Sequence, residues 1–260
     1  MRRVSQAQNR ATAAPSTLAP NADARRNYPM RAALVIVAIA IAVLTYLIIS
    51  RRQPPSRVTR SEAVAIAESY IAHEWTPTEA NVFHGVDPAG IRVDTPDALF
   101  QADGGERGWW IVGQPNSALP YKWGGFDTPE EFDRGLREGK CAGDIYSAEK
   151  RRLLDDAVSA RAVGIDCSGF VSRCWRLPRS YSTRELPRLC DAVTDLTQIK
   201  PGDIFNTHNS HVRLFSGWAD AAHTRVRVYE ASAKVQVTEH VLQQMIEQSY
   251  TAWRYRGMRD

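Results

Sequence analysis

Residues 32–50, AALVIVAIAIAVLTYLIIS, run for nineteen positions without a charge, and Pro54 and Pro55 close the stretch soon after. As a helix this run measures about 28 Å, close to the roughly 30 Å hydrocarbon core of a bilayer. It therefore predicts one transmembrane helix over 32–50, a linker over 51–58, and a catalytic or binding region confined to the chain beyond residue 58. The rival is a cleaved signal peptide. The run is long for the apolar part of such a peptide, and RRQPPS after it lacks a small-x-small cleavage site. A buried core helix fits poorly, because the two prolines isolate the segment. Ahead of it, Arg2, Arg3, Arg10, Arg25, Arg26 and Arg31 face a single acid, Asp23, in a tail over 1–31 rich in Ala, Ser, Asn and Pro. That composition predicts disorder. Arg51, Arg52, Arg57 and Arg60 come after the span, so the positive-inside rule gives only a slight preference for a cytoplasmic N-terminus, with the remaining chain outside the cytoplasm. Much of the net charge of +4 belongs to the tail. The rest is nearly balanced and carries no footprint for nucleic acid.

Residues 59–108 predict a helix followed by an irregular wrap. Thr59 and Glu62 form a capping box, and Ala63, Ile66, Ala67, Tyr70, Ile71 and Trp75 recur at helical spacing. His73 reads as a surface or packing histidine. Frequent Gly, Pro and Asp from 81 to 108 predict loop. WWIVGQ at 109–114 predicts a strand, and LPYKWGG at 119–125 a tight, backbone-exposed turn. A helical section comes next, over about 127–163. One helix starts at Asp127 or Thr128 with Pro129 in its first turn and stops at Gly139; a second runs from Ser147 to Val163 and ends at Gly164.

Two cysteines stand seven residues apart in VGIDCSGFVSRCWRLP. Asp166, Ser168 and Gly169 are cap or turn residues, and Phe170, Val171, Cys174, Trp175 and Leu177 keep helical spacing until Pro178. Cys167 thus falls at a helix start, where the dipole and unpaired amides favour thiolate; cysteines so placed have pKa values of about 3.5–7.5. Cys174, two turns further in, reads as a small packed hydrophobe. A nucleophilic cysteine needs a base and a group that orients the base. QIKPGDIFNTHNSHVRLFSGW offers a short strand, a loop with His208, and His211 opening an alternating strand. The His-x-x-His spacing invites a metal, yet no further Cys or His has matching local spacing, so no metal is expected. In TRVRVYEAS, Val226, Val228 and Glu230 share a face. A carboxylate on an apolar face needs a partner, either a neighbouring histidine, whose tautomer it would fix, or an arginine at a rim.

PYKWGG, IDCSGFV, KPGDIF, HVRLFSGW and a strand ending in YEAS, in that order over about residues 109–257, resemble the NlpC-type cell-wall cysteine peptidases of the papain-like superfamily. The resemblance implies an α+β fold in which a nucleophile-bearing helix packs on an antiparallel β-sheet, a peptidase domain over 109–260, and hydrolysis of an amide near D-glutamate and a diamino acid in peptidoglycan peptides. By position it implies Cys167 as nucleophile, His211 as general base and acid, Glu230 as the group orienting the histidine, Tyr121 beside the cysteine as an oxyanion donor, and Asp166 and Ser168 as holders of a substrate amine. No cofactor is implied. The expected partners are peptidoglycan peptide and the membrane. Three departures stand out: Glu230 occupies a position often held by histidine, the section between Tyr121 and Cys167 is long, and no second wall-binding repeat is present. Cys141 and Cys190 are open to pairing in an oxidising compartment. An amidase or acyltransferase of the same superfamily, and a degenerate membrane-anchored binding protein, are the alternatives.

Overall fold

The computed structural model describes residues 33–39, 41, 57–101, 105 and 107–260, and the chain divides into two compact units, Met1–Pro54 and Pro55–Asp260. In the first unit residues 33–39 are helical, with Leu34, Val35, Ile36, Val37 and Ile39 exposed. The expected tail, most of the expected transmembrane span and most of the linker lie outside the described residues. Among the described residues no helix is long and apolar enough to cross a membrane.

The second unit is mixed α+β, built on a six-stranded antiparallel sheet. Its strands are β1 Cys190–Ala192, β2 Ile204–Asn206, β3 Val212–Trp218, β4 Arg225–Ala231, β5 Val235–Val241 and β6 Thr251–Tyr255. They lie in the order β5-β4-β3-β2-β6-β1. Alternation along each strand sends side chains to opposite faces. Ile204, Val212, Leu214, Tyr229 and Ala231 join one core, while Phe205, Phe215, Val226 and Val228 join a second, with Met245.

Helices α1 (Arg60–Ala72) and α4 (Cys167–Cys174) cover the first face. The capping box at the start of α1 forms in full: Thr59 N–H donates to Glu62 Oε2 at 2.8 Å, and Glu62 N–H donates to Thr59 Oγ1 at 3.2 Å. Ala63, Ala67 and Tyr70 are its buried stripe, and the Tyr70 ring meets Phe170 of α4 edge-on at 5.7 Å. His73 bonds Asp133 at 2.8 Å, a packing role as expected. Helix α2 (Pro129–Arg137) starts from Thr128, with Pro129 in its first turn and Gly139 in the left-handed region at φ +77° beyond its end.

Several sequence expectations change. No strand forms over 109–114. Trp110 is fully buried beside Trp75, with ring centroids 5.8 Å apart, and the backbone turns at Gly113. The backbone pairs there as an isolated parallel bridge, Trp110 with Asp97, and not as a strand, while the buried indole joins the core. The wrap over 81–108 is more regular than expected and contains a hairpin, His84–Val86 against Arg92–Asp94. Asp87 Oδ1 closes its turn by accepting from the N–H groups of Ala89 and Ile91. The second helix of the 127–163 section is short: α3 covers Ala148–Leu153 and gives way to a 3₁₀ turn over Leu154–Ala157. Ala162–Val163 then pairs in parallel with Cys141–Ala142. The buried Lys150 ammonium pairs with the buried Asp144 carboxylate, which ties α3 to the loop before it, and the helix ends where Leu154 takes φ +54°. Helix α4 ends at Cys174, earlier than Pro178 requires. Arg176 takes φ +53°, and the N–H groups of Arg176 and Leu177 bond the carbonyls of Arg173 and Ser172, the doubly bonded left-handed helix stop. Cys141 and Cys190 are free and buried in separate clusters, so they form no disulfide.

Removing one partner of a buried ion pair strands the other charge. Lys150→Met is therefore expected to lower the unfolding free energy by about 3 kcal/mol, read as a lower denaturant midpoint at unchanged slope. A loss well under about 1 kcal/mol would mean that Asp144 is held by something other than Lys150.

Candidate active site

The geometry of the site begins with three glycines. A Cβ on Gly169 would lie 2.0 Å from the Gly125 carbonyl oxygen, and one on Gly125 would lie 2.5 Å from that of Gly164. Only backbone without side chains allows this approach, so the WGG turn, the residue before Ile165, and the first turn of α4 press directly together. Asp166 is the helix cap: its Oδ1 accepts from Gly169 N–H at 2.6 Å and Ser168 Oγ–H at 2.9 Å. Burial pushes its carboxyl pKa upward, against these bonds and the Lys122 charge. Cys167 is consequently the first residue of α4, 7% exposed. Cys174 has no exposure, and burial pushes its thiol pKa far upward, as the packing role requires.

His211 lies immediately before β3, at the mouth of a tight loop in which Thr207 N–H donates to the His211 carbonyl at 2.9 Å. Its Nε2 lies 2.8 Å from Glu230 Oε2, and the ring lines the same cavity as Cys167. Burial disfavours the imidazolium, but the neighbouring Cys167 and the Glu230 carboxylate outweigh it and raise His211 to about 9. Glu230 is 4% exposed on β4. Burial alone would raise its pKa; the His211 bond, the Arg213 charge and the Thr238 hydroxyl hold it below the usual carboxylate range. Glu230 thus takes the histidine partner, and an arginine as well, since Arg213 Nε donates to the same Oε2 at 2.8 Å, but it is buried and not at a rim. The other oxygen accepts from Thr238 Oγ1 at 2.5 Å, with His240 Nε2 at 3.3 Å.

Tyr121 is 8% exposed, and burial together with the neighbouring Cys167 charge keeps its hydroxyl protonated. It lines two cavities that share Cys167, Trp123, Arg151 and Ser210. One, of about 290 Å³, reaches His211, Tyr146 and Ser232. The other, about 90 Å³, reaches Asp166, Ser168 and Arg184. All six residues expected at the site therefore belong to one cluster, with Asp166 and Ser168 engaged in the helix cap. A cavity of about 520 Å³ between α1 and α2, lined by Tyr70, His73 and Arg173, is larger, but it holds no nucleophile paired to a base. His208 is exposed in the loop before β3. Among the described residues no group of three His, Cys, Asp or Glu is placed to hold a metal ion.

Arg213, Thr238 and His240 around Glu230, and Arg151 in both cavities, are functional neighbours that the motifs do not name. Arg213 had a sequence signal: it comes two residues after His211 on an alternating strand and pairs across to the position of Glu230. No protein-family model matches the chain, and no curated protein is similar to it in sequence.

The pair gives the fold a pH signature. His211 titrates near 6.5 unfolded and about 9 folded, so its contribution is complete below pH 6.5 and disappears as pH rises through 9. Glu230, depressed in the fold, contributes above its ordinary carboxylate value and loses that contribution as pH falls. Melting curves should therefore show stability falling by roughly 2–3 kcal/mol between pH 6.5 and 9. His211→Asn should flatten that alkaline decline, while Glu230→Gln should remove part of the acid-side slope. An unchanged alkaline decline in His211→Asn would show that His211 is not its source.

Proposed function

We propose that the chain is a membrane-anchored cysteine peptidase of the NlpC type, with a papain-like fold, that hydrolyses amide bonds in peptidoglycan stem peptides next to D-glutamate. The observation that carries this reading is the row Cys167–His211–Glu230: a cysteine at a helix start, an imidazole on the lining of the same cavity, and a buried carboxylate on the imidazole Nε2. The packing of α4 against β3 and β4 supports the family's arrangement of nucleophile helix on antiparallel sheet. The anchor is assigned to the uncharged run 32–50, with the catalytic domain outside the cytoplasm.

In this mechanism His211 takes the Cys167 proton, and the sulfur attacks the scissile carbonyl. Glu230 holds the ring and stabilises its positive charge, as the acid does in other triads. The Cys167 N–H, which has no hydrogen-bond acceptor among the described residues, points the start of a helix at the developing oxyanion. Tyr121, kept protonated by burial, supplies a second donor. Collapse of the tetrahedral intermediate breaks the C–N bond as His211 gives its proton to the leaving amine. Water, deprotonated by His211, then adds to the thioester, and the carboxylic product leaves with Cys167 restored as thiol. No step calls for a metal or organic cofactor. The intact row of three argues against a degenerate binding protein.

A thiol-reactive probe near neutral pH should label Cys167 in the full chain, and labelling should vanish in Cys167→Ala but persist in Cys174→Ala. Incubated with purified peptidoglycan, the wild type should release peptides identifiable by mass spectrometry. Cys167→Ala should lower that release by a factor on the order of 10³ or more. Equal labelling of Cys167 and Cys174 would sink the nucleophile assignment. Intact labelling without released peptide would move the substrate to another amide or ester, as in the amidase or acyltransferase reading.

A further inference from the structure

The wall of the cleft opposite the motifs comes from the section between Tyr121 and Cys167. It is pinned at two points: Lys150 pairs with buried Asp144, and Trp123 Nε1–H donates to the Leu154 carbonyl at 3.0 Å. Arg151 lies between these pins and is half-buried, whereas its neighbour Arg152 is exposed and lies 3.7 Å from Glu149. Arg151 lines both cavities that contain Cys167. Among the described residues no carboxylate lies within ion-pair distance of it, although Asp155, four positions on, and the cap residue Asp166 line the smaller cavity. The lining of the larger cavity, which joins Arg151 to Tyr121, Cys167, His211 and Ser232, contains no acid.

A guanidinium held on a fixed wall, facing a cavity without acids, suits a planar anion that accepts two parallel hydrogen bonds. Elsewhere in the same unit, arginines drawn against the body carry their own acids, as Arg173 does with Glu131 and Arg254 with Asp203. We propose that Arg151 is a specificity-determining residue that binds a carboxylate of the substrate beside the amide attacked by Cys167. This deepens the peptidase reading and rests on its nucleophile. It assigns the substrate class as an amide flanked by a free carboxylate, and it gives the inserted section a task that the catalytic row does not perform.

Iodoacetate and iodoacetamide test it without a substrate, since both alkylate a thiol and differ only in carboxylate against neutral amide. The rates of Cys167 alkylation by each are measured on the full chain by peptide mass mapping, and their ratio is compared among variants. Arg151→Gln should lower the iodoacetate-to-iodoacetamide ratio by about fivefold, and Arg151→Lys should retain part of it. Arg152→Gln, which removes the same charge one residue away but outside the cleft, should leave the ratio unchanged. Matching melting temperatures exclude misfolding as the cause of a change. A ratio in Arg151→Gln equal to that of the wild type, or an equal drop in Arg152→Gln, would overturn the carboxylate assignment while leaving Cys167 as nucleophile. A wild-type Cys167 unreactive to both reagents would overturn the nucleophile reading itself.

Discussion

The Glu230 carboxylate, 4% exposed, is the constraint on which the sheet and the site both depend. A buried charge survives only where partners replace its lost water. Two strands and a loop supply them: Arg213 from β3, Thr238 and His240 from β5, and His211 from the loop feeding β3. On β4, alternation puts Glu230 on the face of Val226 and Val228, whereas Cys167 belongs to the core on the α4 side. His211 reaches both sides, bonding Glu230 and lining the cavity that holds Cys167, because it precedes the strand, where its ring is free of the pleat. The arrangement makes the base a structural member of the sheet as well as a chemical one.

On the cysteine side the same rigidity is made from backbone. Contact between the Gly125 carbonyl and the α4 start leaves no room for a side chain at 169. The helix cannot move closer, and moving outward would lose the packing of Phe170 and Trp175 below it. Trp175 stacks on Tyr255 of β6 at 4.8 Å and donates its indole N–H to the Gly202 carbonyl at 3.0 Å. Helix start and strand end are thus registered through one continuous core. That core brings a thiol and an imidazole separated by 44 positions, 167 and 211, onto the lining of one cavity.

Much of this was legible from local chemistry. Thr59 and Thr128 announce their helices because capping boxes act within four residues, and Asp166 marks the start of α4 for the same reason. The alternation around His211 and Glu230 places both on adjoining strands. Where reading failed, the deciding contact was distant in sequence or hidden in the packing. Strong helix formers over 147–163 stop at Leu153, where Leu154 turns to φ +54°, and WWIVGQ pairs at a single bridge to Asp97 while Trp110 is buried against Trp75. Thr238 and His240 carry no motif; only the register of β5 against β4 reveals them. The antiparallel sheet and its packed helix stand in the structure itself.

Motif residues and inserted residues divide the labour at this site along that same line. PYKWGG, DCSG and the His–Glu strands bring a thiol, an imidazole and a carboxylate into one cluster, and their close backbone contacts leave little freedom to vary it. The inserted section is anchored by a buried ion pair and one indole hydrogen bond, yet its exposed side chains are otherwise unconstrained by the sheet. Discrimination among substrates is therefore easier to build there than in the catalytic row, since a side chain on the wall can change without moving the thiol. Arg151 meets both conditions: its backbone is fixed by neighbours on either side, and among the described residues its charge is matched by no carboxylate of the domain.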